Sequence, residues 1–245
     1  MKKLLVLLLV LFTTMSMTGC KKVATFVKSE GVMTYEEYVA AEVGSTVTVE
    51  TFIQNFESWW DGKITLYTQD NVGAYFIYEL PCTEEEAKKL TVGTKIKVTG
   101  TKSEWSGEVE ITDATFEILE GSYTAEATDV TELCGKDELV DKMNMFAAIK
   151  GAKVVASTNA AGEEVAFLYS WNGAGEAGKA DVYFNVEVNG TILTFNVRRY
   201  VNGCGAESEV YKAAEALQVG DTVNLEGFLY WYAGTCQARI TKITK

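Results

Sequence analysis

The chain is 245 residues long, 47% hydrophobic and 23% charged, with 34 acidic and 22 basic side chains, a net charge of −12 and no histidine. The missing imidazole excludes Ser-His-Asp and Cys-His catalysis and histidine metal sites, so neither an enzyme nor a metal or other cofactor is expected. Acidity opposes the phosphate neutralisation that supplies most nucleic-acid affinity, and the length leaves room for two domains of about 100 residues each.

The first element in chain order is a leader, MKKLLVLLLVLFTTMSMTGC. Lys2 and Lys3, an apolar run from Leu4 to Phe12 and a small, polar stretch ending at Gly19-Cys20 read as an export signal over residues 1–19, too short for a comfortable membrane span. Met17-Thr18-Gly19-Cys20 resembles the lipobox of bacterial lipoproteins, with Met17 in place of the usual leucine. That resemblance implies acylation of Cys20, a lipid bilayer as partner, and anchoring on the extracytoplasmic face of the cell membrane. The other reading is an ordinary secretory signal with a coincidental cysteine. Two or three acyl chains anchor stably where one is marginal. Residues 20–31 are then a polar tether.

Residues 32–122 form a first unit. Thr34 with Glu37 is a capping box that starts a short helix through about Glu42, and a turn at Gly44 ends it. Val47, Val49 and Ile53 alternate with polar neighbours from Thr46 to Gln54, the period of a strand with one buried face. After the loop NFESWWDG come strands at Lys63–Thr68 and Val72–Leu80, joined through Gln69-Asp70-Asn71. Thr83 with Glu86 caps a second short helix. Strands at Thr94–Lys102 and Glu108–Leu119 follow, with a parity slip near Thr112 that a bulge would produce.

The link from Ser122 to Met145 is charged and weakly helical, with a break at Cys134-Gly135, and the order then recurs over residues 123–245. Strands at Phe146–Ser157, Asp181–Val188 and Thr191–Tyr200, the last two joined over Asn189-Gly190, precede a helix at Ala206–Leu217. A closing pair is expected at Asp221–Tyr232 and Thr235–Thr244. The loop from Thr158 to Ala180 carries an apolar run, Val165–Tyr169, and the tract NGAGEAGK. Its glycines open no helix and precede no Lys-Ser/Thr pair, which rules out a phosphate loop. Cys82, Cys134, Cys204 and Cys236 admit three disulfide pairings without a C-x-x-C spacing, so zinc is unsupported and the choice of pairing stays open.

LTVGTKIKVTGTKSEWSG at 90–107 and LQVGDTVNLEGFLYWYAG at 217–234 superimpose at a shift of 127 residues, pairing Gly93 with Gly220, Gly100 with Gly227 and Gly107 with Gly234. Strand, strand, strand, helix, strand, strand in each half is mainly β. It resembles the OB-fold, a five-stranded Greek-key barrel, here twice in tandem with a short helix between strands three and four. The whole chain is similar to the tandem OB-fold lipoproteins of bacterial cell surfaces. The carrying segments are WWDGKITLYTQDNVGAYFIYELPC, TKIKVTGTKSEWSGEVEITDATFEI and GDTVNLEGFLYWY. That resemblance implies fold and location and no particular activity.

The five tryptophans fall at two loops of such barrels. Trp59, Trp60 and Trp171 lie in the first loops, while Trp105 and Trp231, the latter flanked by Tyr230 and Tyr232, lie at the tips between strands four and five. OB-folds take oligonucleotides and oligosaccharides there, and aromatic rings stack on either. Arg198 and Arg199 stand beside the same face. The competing use of these rings is to plug barrel ends or pack the two units together. The expectation is a non-catalytic module binding a glycan or another extracellular ligand. The alternatives are an OB-fold nucleic-acid binder, which the acidity places behind, and a structural or protein-interaction domain of the envelope.

Overall fold

The glycines paired by the repeat do the same work twice. Gly93 and Gly220 turn into a strand at φ 89° and 95°, a left-handed conformation that a side chain resists. A Cβ on Gly100 would come within 2.7 Å of the Thr112 carbonyl, and one on Gly227 would come closer still to the Arg239 carbonyl. Each glycine sits at a register shift in the closing strand pair, so the expected bulge lies at Thr112–Ala114 and has a twin in the second half.

The computed structural model describes Phe26 and residues 28–245. The expected leader, its Cys20 and most of the tether lie outside the described residues. Helix α1 (Tyr35–Ala40) opens on the expected box, with Thr34 Oγ1 accepting from the Glu37 N–H and the Glu37 carboxylate accepting from the Thr34 N–H. It stops short of Glu42 because Ala41 is extended and Lys102 Nζ donates to the carbonyls of Tyr38, Val39 and Ala41 at 2.9, 2.8 and 2.7 Å. Strands β1 (Thr46–Phe56), β2 (Lys63–Gln69) and β3 (Ala74–Pro81), helix α2 (Glu84–Ala87), and strands β4 (Thr94–Trp105) and β5 (Glu108–Ser122) follow. The five strands close as a barrel in the order β1-β2-β3-β5-β4. β3 starts at Ala74 rather than Val72, because Asp70 Oδ1 accepts the N–H groups of Val72 and Gly73 and holds them in the turn.

The link contains β6 (Thr128–Asp129) and two 3-10 turns, Thr131–Leu133 and Asp137–Lys142, separated at Cys134-Gly135. Next come β7 (Phe146–Val155), β8 (Ser157–Thr158), β9 (Glu164–Val165), β10 (Leu168–Tyr169), β11 (Val182–Val188) and β12 (Thr191–Val197). Helix α3 (Glu209–Glu215), capped by Ser208, precedes β13 (Thr222–Phe228), β14 (Trp231–Tyr232), β15 (Thr235–Cys236) and β16 (Arg239–Thr244). β7 pairs with both β11 and β13, so β7-β11-β12-β16-β13 is a second ring in the order of the first. In each ring the third and fifth strands meet in parallel. The protein is two OB-fold barrels in tandem. The long loop is partly ordered into strand, with β9 on β8 and β10 on the edge of β11.

The expected closing strands are interrupted. β13 stops at Phe228, and Leu229, Tyr230 and Trp231 are all buried, so the alternation of a half-exposed strand fails there. Tyr230 packs its ring on Phe76 of the first barrel, and Trp231 reaches Glu108 of that barrel through its backbone N–H. At the two hairpin tips, residues equivalent under the repeat touch: the Ala233 N–H donates to the Ser106 carbonyl at 2.8 Å, and the Trp105 and Tyr232 rings are 5.4 Å apart. A second seam joins residues 56–58 to 200–202, with the Asn202 N–H on the Phe56 carbonyl and the Ser58 N–H on the Tyr200 carbonyl, each at 2.8 Å. Between the seams the rings of Tyr67 and Phe228 lie 4.9 Å apart and those of Phe76 and Tyr230 5.6 Å apart. The four cysteines Cys82, Cys134, Cys204 and Cys236 are buried free thiols.

Candidate functional site

Between the two seams a cleft of about 780 Å³ opens, floored by β3 of the first barrel and by β11 and β12 of the second. A second recess of about 510 Å³ adjoins it, and Glu57, Tyr78 and Arg198 line both, making one groove. Strand alternation delivers the floor. Tyr183 and Asn185 on β11, and Thr194 with Arg198 on and just beyond β12, point outward while Phe184, Phe195 and Val197 fill the barrel.

All six exposed aromatic side chains among the described residues stand on this groove. Tyr78, Trp105, Trp171 and Tyr232 line the cleft, and Trp60 and Tyr200 line the recess. Trp60 is 80% exposed and Trp171 76%. Two of the three arginines of the chain line the groove, and the third stacks on one of its rings. Arg198 and Arg239 line the cleft, and the Arg199 guanidinium lies 4.1 Å from the Tyr200 ring centre and bonds its hydroxyl. Scattered exposed rings are ordinary, but a surface that gathers every one of them marks a contact site.

Of the residues singled out in the sequence, Trp60, Trp105, Trp171, Arg198, Arg199 and Tyr232 therefore share one surface. Tyr230, 6% exposed, also lines the cleft, its ring packed on Phe76 and under Arg239, whereas Trp231, 7% exposed, lies in the buried cluster and lines neither part of the groove. The reason is the break after β13, which turns Trp231 inward so that its backbone N–H donates to Glu108 Oε2 at 2.7 Å. The residue equivalent to Trp105 under the repeat is Tyr232, and it is Tyr232 that faces out. Trp59 is half-buried against the first core, its Nε1–H donating to the Cys82 carbonyl at 2.9 Å, and shows only an edge to the recess. Sequence reasoning missed Tyr78, Tyr200, Glu57, Glu110 and Arg239. The signal for Arg239 was available, since it is the chain's one arginine outside the 198–199 pair and sits at the head of a closing strand.

The charges of the groove are mixed. Arg198 Nε lies 3.4 Å from Glu57 Oε1 and 4.0 Å from Asp181 Oδ2. Burial alone would lower the Arg198 pKa, but Glu57, Tyr67 and Asp181 more than offset it and keep the guanidinium charged. Burial pushes the Glu108 carboxyl up to about 8, although the Trp231 N–H and the Arg239 charge pull the other way. Burial, with Glu79 adding to it, lifts Glu110 to about 7. Among the described residues no group of three acidic or cysteine side chains is placed to hold a metal ion.

No family model matches the chain. No curated protein matches it either. Solved structures do. A murine DNA-binding protein bound to double-stranded DNA is 11% identical, with TM-score 0.36, over 81% of this chain and 98% of the other. The HINa domain of Ifi202 in complex with a 20-bp DNA duplex is 10% identical, with TM-score 0.36, over 82% and 100%. The single-stranded DNA-binding protein of Thermus aquaticus is 13% identical, with TM-score 0.25, over 83% and 94%.

The expectation of a glycan ligand ahead of nucleic acid is corrected: it put nucleic acid behind because of the average acidity of the chain, a charge that conceals a groove lined by Arg198 and Arg239, with Arg199 stacked on Tyr200 beside them.

Proposed function

We propose that the groove binds single-stranded nucleic acid, with bases stacked on its exposed rings, in a non-catalytic protein held at the extracytoplasmic membrane face through acylated Cys20. The observation that carries the first part is the convergence of six exposed aromatic rings and two arginines, with Arg199 stacked on one of those rings, on one continuous groove between two OB-fold barrels. Base–aromatic stacking contributes about 1–3 kcal/mol per base and tolerates any sequence. Arginine adds cation–π and phosphate contacts that the net charge of −12 does not provide at long range. The mixed charge of the groove favours a ligand held chiefly by its rings over one held by its backbone. The anchoring half rests on the Gly19-Cys20 pair and its distance from the apolar run.

The binding half is tested by competition. A labelled single-stranded oligonucleotide bound to the protein is displaced by unlabelled single strand and not by duplex at equal nucleotide concentration; displacement by duplex alone contradicts the reading. The anchoring half is tested by labelled palmitate, which enters the wild-type protein and not Cys20→Ala; membrane retention of that variant contradicts it.

A further inference from the structure

Resting on that reading, we infer that the cleft floor is an anion subsite in which Arg239, with Asn196 beside it, binds one backbone phosphate of the strand. Arg239 opens β16 and is 7% exposed, yet it forms no ion pair within 4.0 Å among the described residues. Its Nε has no hydrogen-bond partner. A guanidinium taken out of water without a counter-charge is unfavourable, and removing its carboxylate partner normally costs several kcal/mol, on the order of 3–5. Here the protein supplies a ring instead: the guanidinium lies 3.9 Å from the centre of Tyr230, which fixes its plane without neutralising it.

Asn196 is its neighbour in the ladder between β12 and β16. It is wholly buried, and neither its Oδ1 nor its Nδ2 has a partner. By strand alternation it shares the face of Thr194 and Arg198, both of which line the cleft. Nearly all buried polar atoms in folded proteins are satisfied, so two adjacent side chains with unmet donors, Arg239 lining the cleft and Asn196 buried beside it, point to an acceptor that arrives from outside. The remaining arginine of the cleft, Arg198, already has Glu57 at 3.4 Å. The carboxyl that feels the Arg239 charge does not replace a ligand: Glu108 holds its Oε2 on the Trp231 N–H, and burial first of all raises it to about 8. A phosphate has the acceptors and the fixed charge that this floor lacks, and guanidinium forks match its geometry.

The experiment measures binding of a tetrathymidylate and of its uncharged methylphosphonate counterpart by fluorescence titration. The wild-type protein should prefer the charged oligomer by about tenfold. Arg239→Met should bind both oligomers as the wild type binds the neutral one. Asn196→Asp, which leaves the guanidinium in place but sets a carboxylate beside it, should lose the preference likewise, and melting curves report whether each variant is folded. Equal binding of both oligomers by the wild type overturns the subsite and leaves the stacking reading intact. A preference that survives in folded Arg239→Met or Asn196→Asp also overturns it, and binding of neither oligomer overturns subsite and reading together.

Discussion

Truncating Trp231 separates packing from recognition. The ring is 7% exposed in the buried cluster, and its backbone N–H donates to Glu108 Oε2 at 2.7 Å. Trp→Ala at a packed site costs about 3–5 kcal/mol, the lost transfer energy plus the cavity left behind. For a chain of this size each kcal/mol lowers Tm by about 2–4 °C, so Trp231→Ala should melt roughly 6–20 °C below the wild type. Trp105→Ala removes the same chemistry from a ring that is 54% exposed, where a surface substitution stays within about 0.5 kcal/mol and Tm within about 2 °C. Scanning calorimetry of the two variants side by side is the assay. A Trp231→Ala variant that melts with the wild type, or a Trp105→Ala variant that falls as far as Trp231→Ala, refutes the assignment of one ring to the buried cluster and the other to the exposed rim of the groove.

Glu108 predicts a pH dependence. Its folded pKa of about 8 lies above its ordinary value of 4.5, so between those values the unfolded chain holds fewer protons than the folded one, and stability falls as pH rises. The Glu108 slope is about 1.4 kcal/mol per pH unit at most, ending near pH 8, and denaturant melts should show Glu108→Gln losing it between pH 7 and 8, where Glu110, raised to about 7, no longer adds its own. Gly227→Ala should destabilise by about 1–3 kcal/mol, because the added methyl meets the Arg239 and Ile240 backbone rather than a movable side chain; a neutral melting curve would show that the bulge yields. Burial pushes the Cys204 and Cys236 thiols up to about 12, so iodoacetamide at pH 8 should leave both unmodified until denaturant opens the fold, as read by mass spectrometry.

The barrels were legible because their constraints are local and repeated. Thr34–Glu37 and Thr83–Glu86 form both halves of their capping boxes in the structure, and the shift that aligned Gly100 with Gly227 aligned two bulges. Element ends were less legible where side chains reach across the chain. Lys102 trims α1, and Asp70 holds Val72 out of β3, neither of which a periodicity window contains. The site was half legible. Loop position alone found Trp60, Trp105 and Trp171, but the orientation of Tyr230 and Trp231 depends on the packing of one barrel against the other. Tyr78 and Arg239 reach the cleft from strands of different barrels, a juxtaposition that only the docked pair creates.

The central claim is that the groove holds single strands mainly by stacking, and tryptophan fluorescence titration with a single-stranded oligonucleotide across a range of salt tests it most directly. With three arginines available, the slope of log K against log salt should be no steeper than about −2 at 0.7 per phosphate contact. Trp105→Ala or Trp171→Ala should each weaken binding about 5- to 150-fold at every salt concentration. A folded wild-type protein that shows no saturable binding, or one whose affinity ignores both substitutions, would contradict the account.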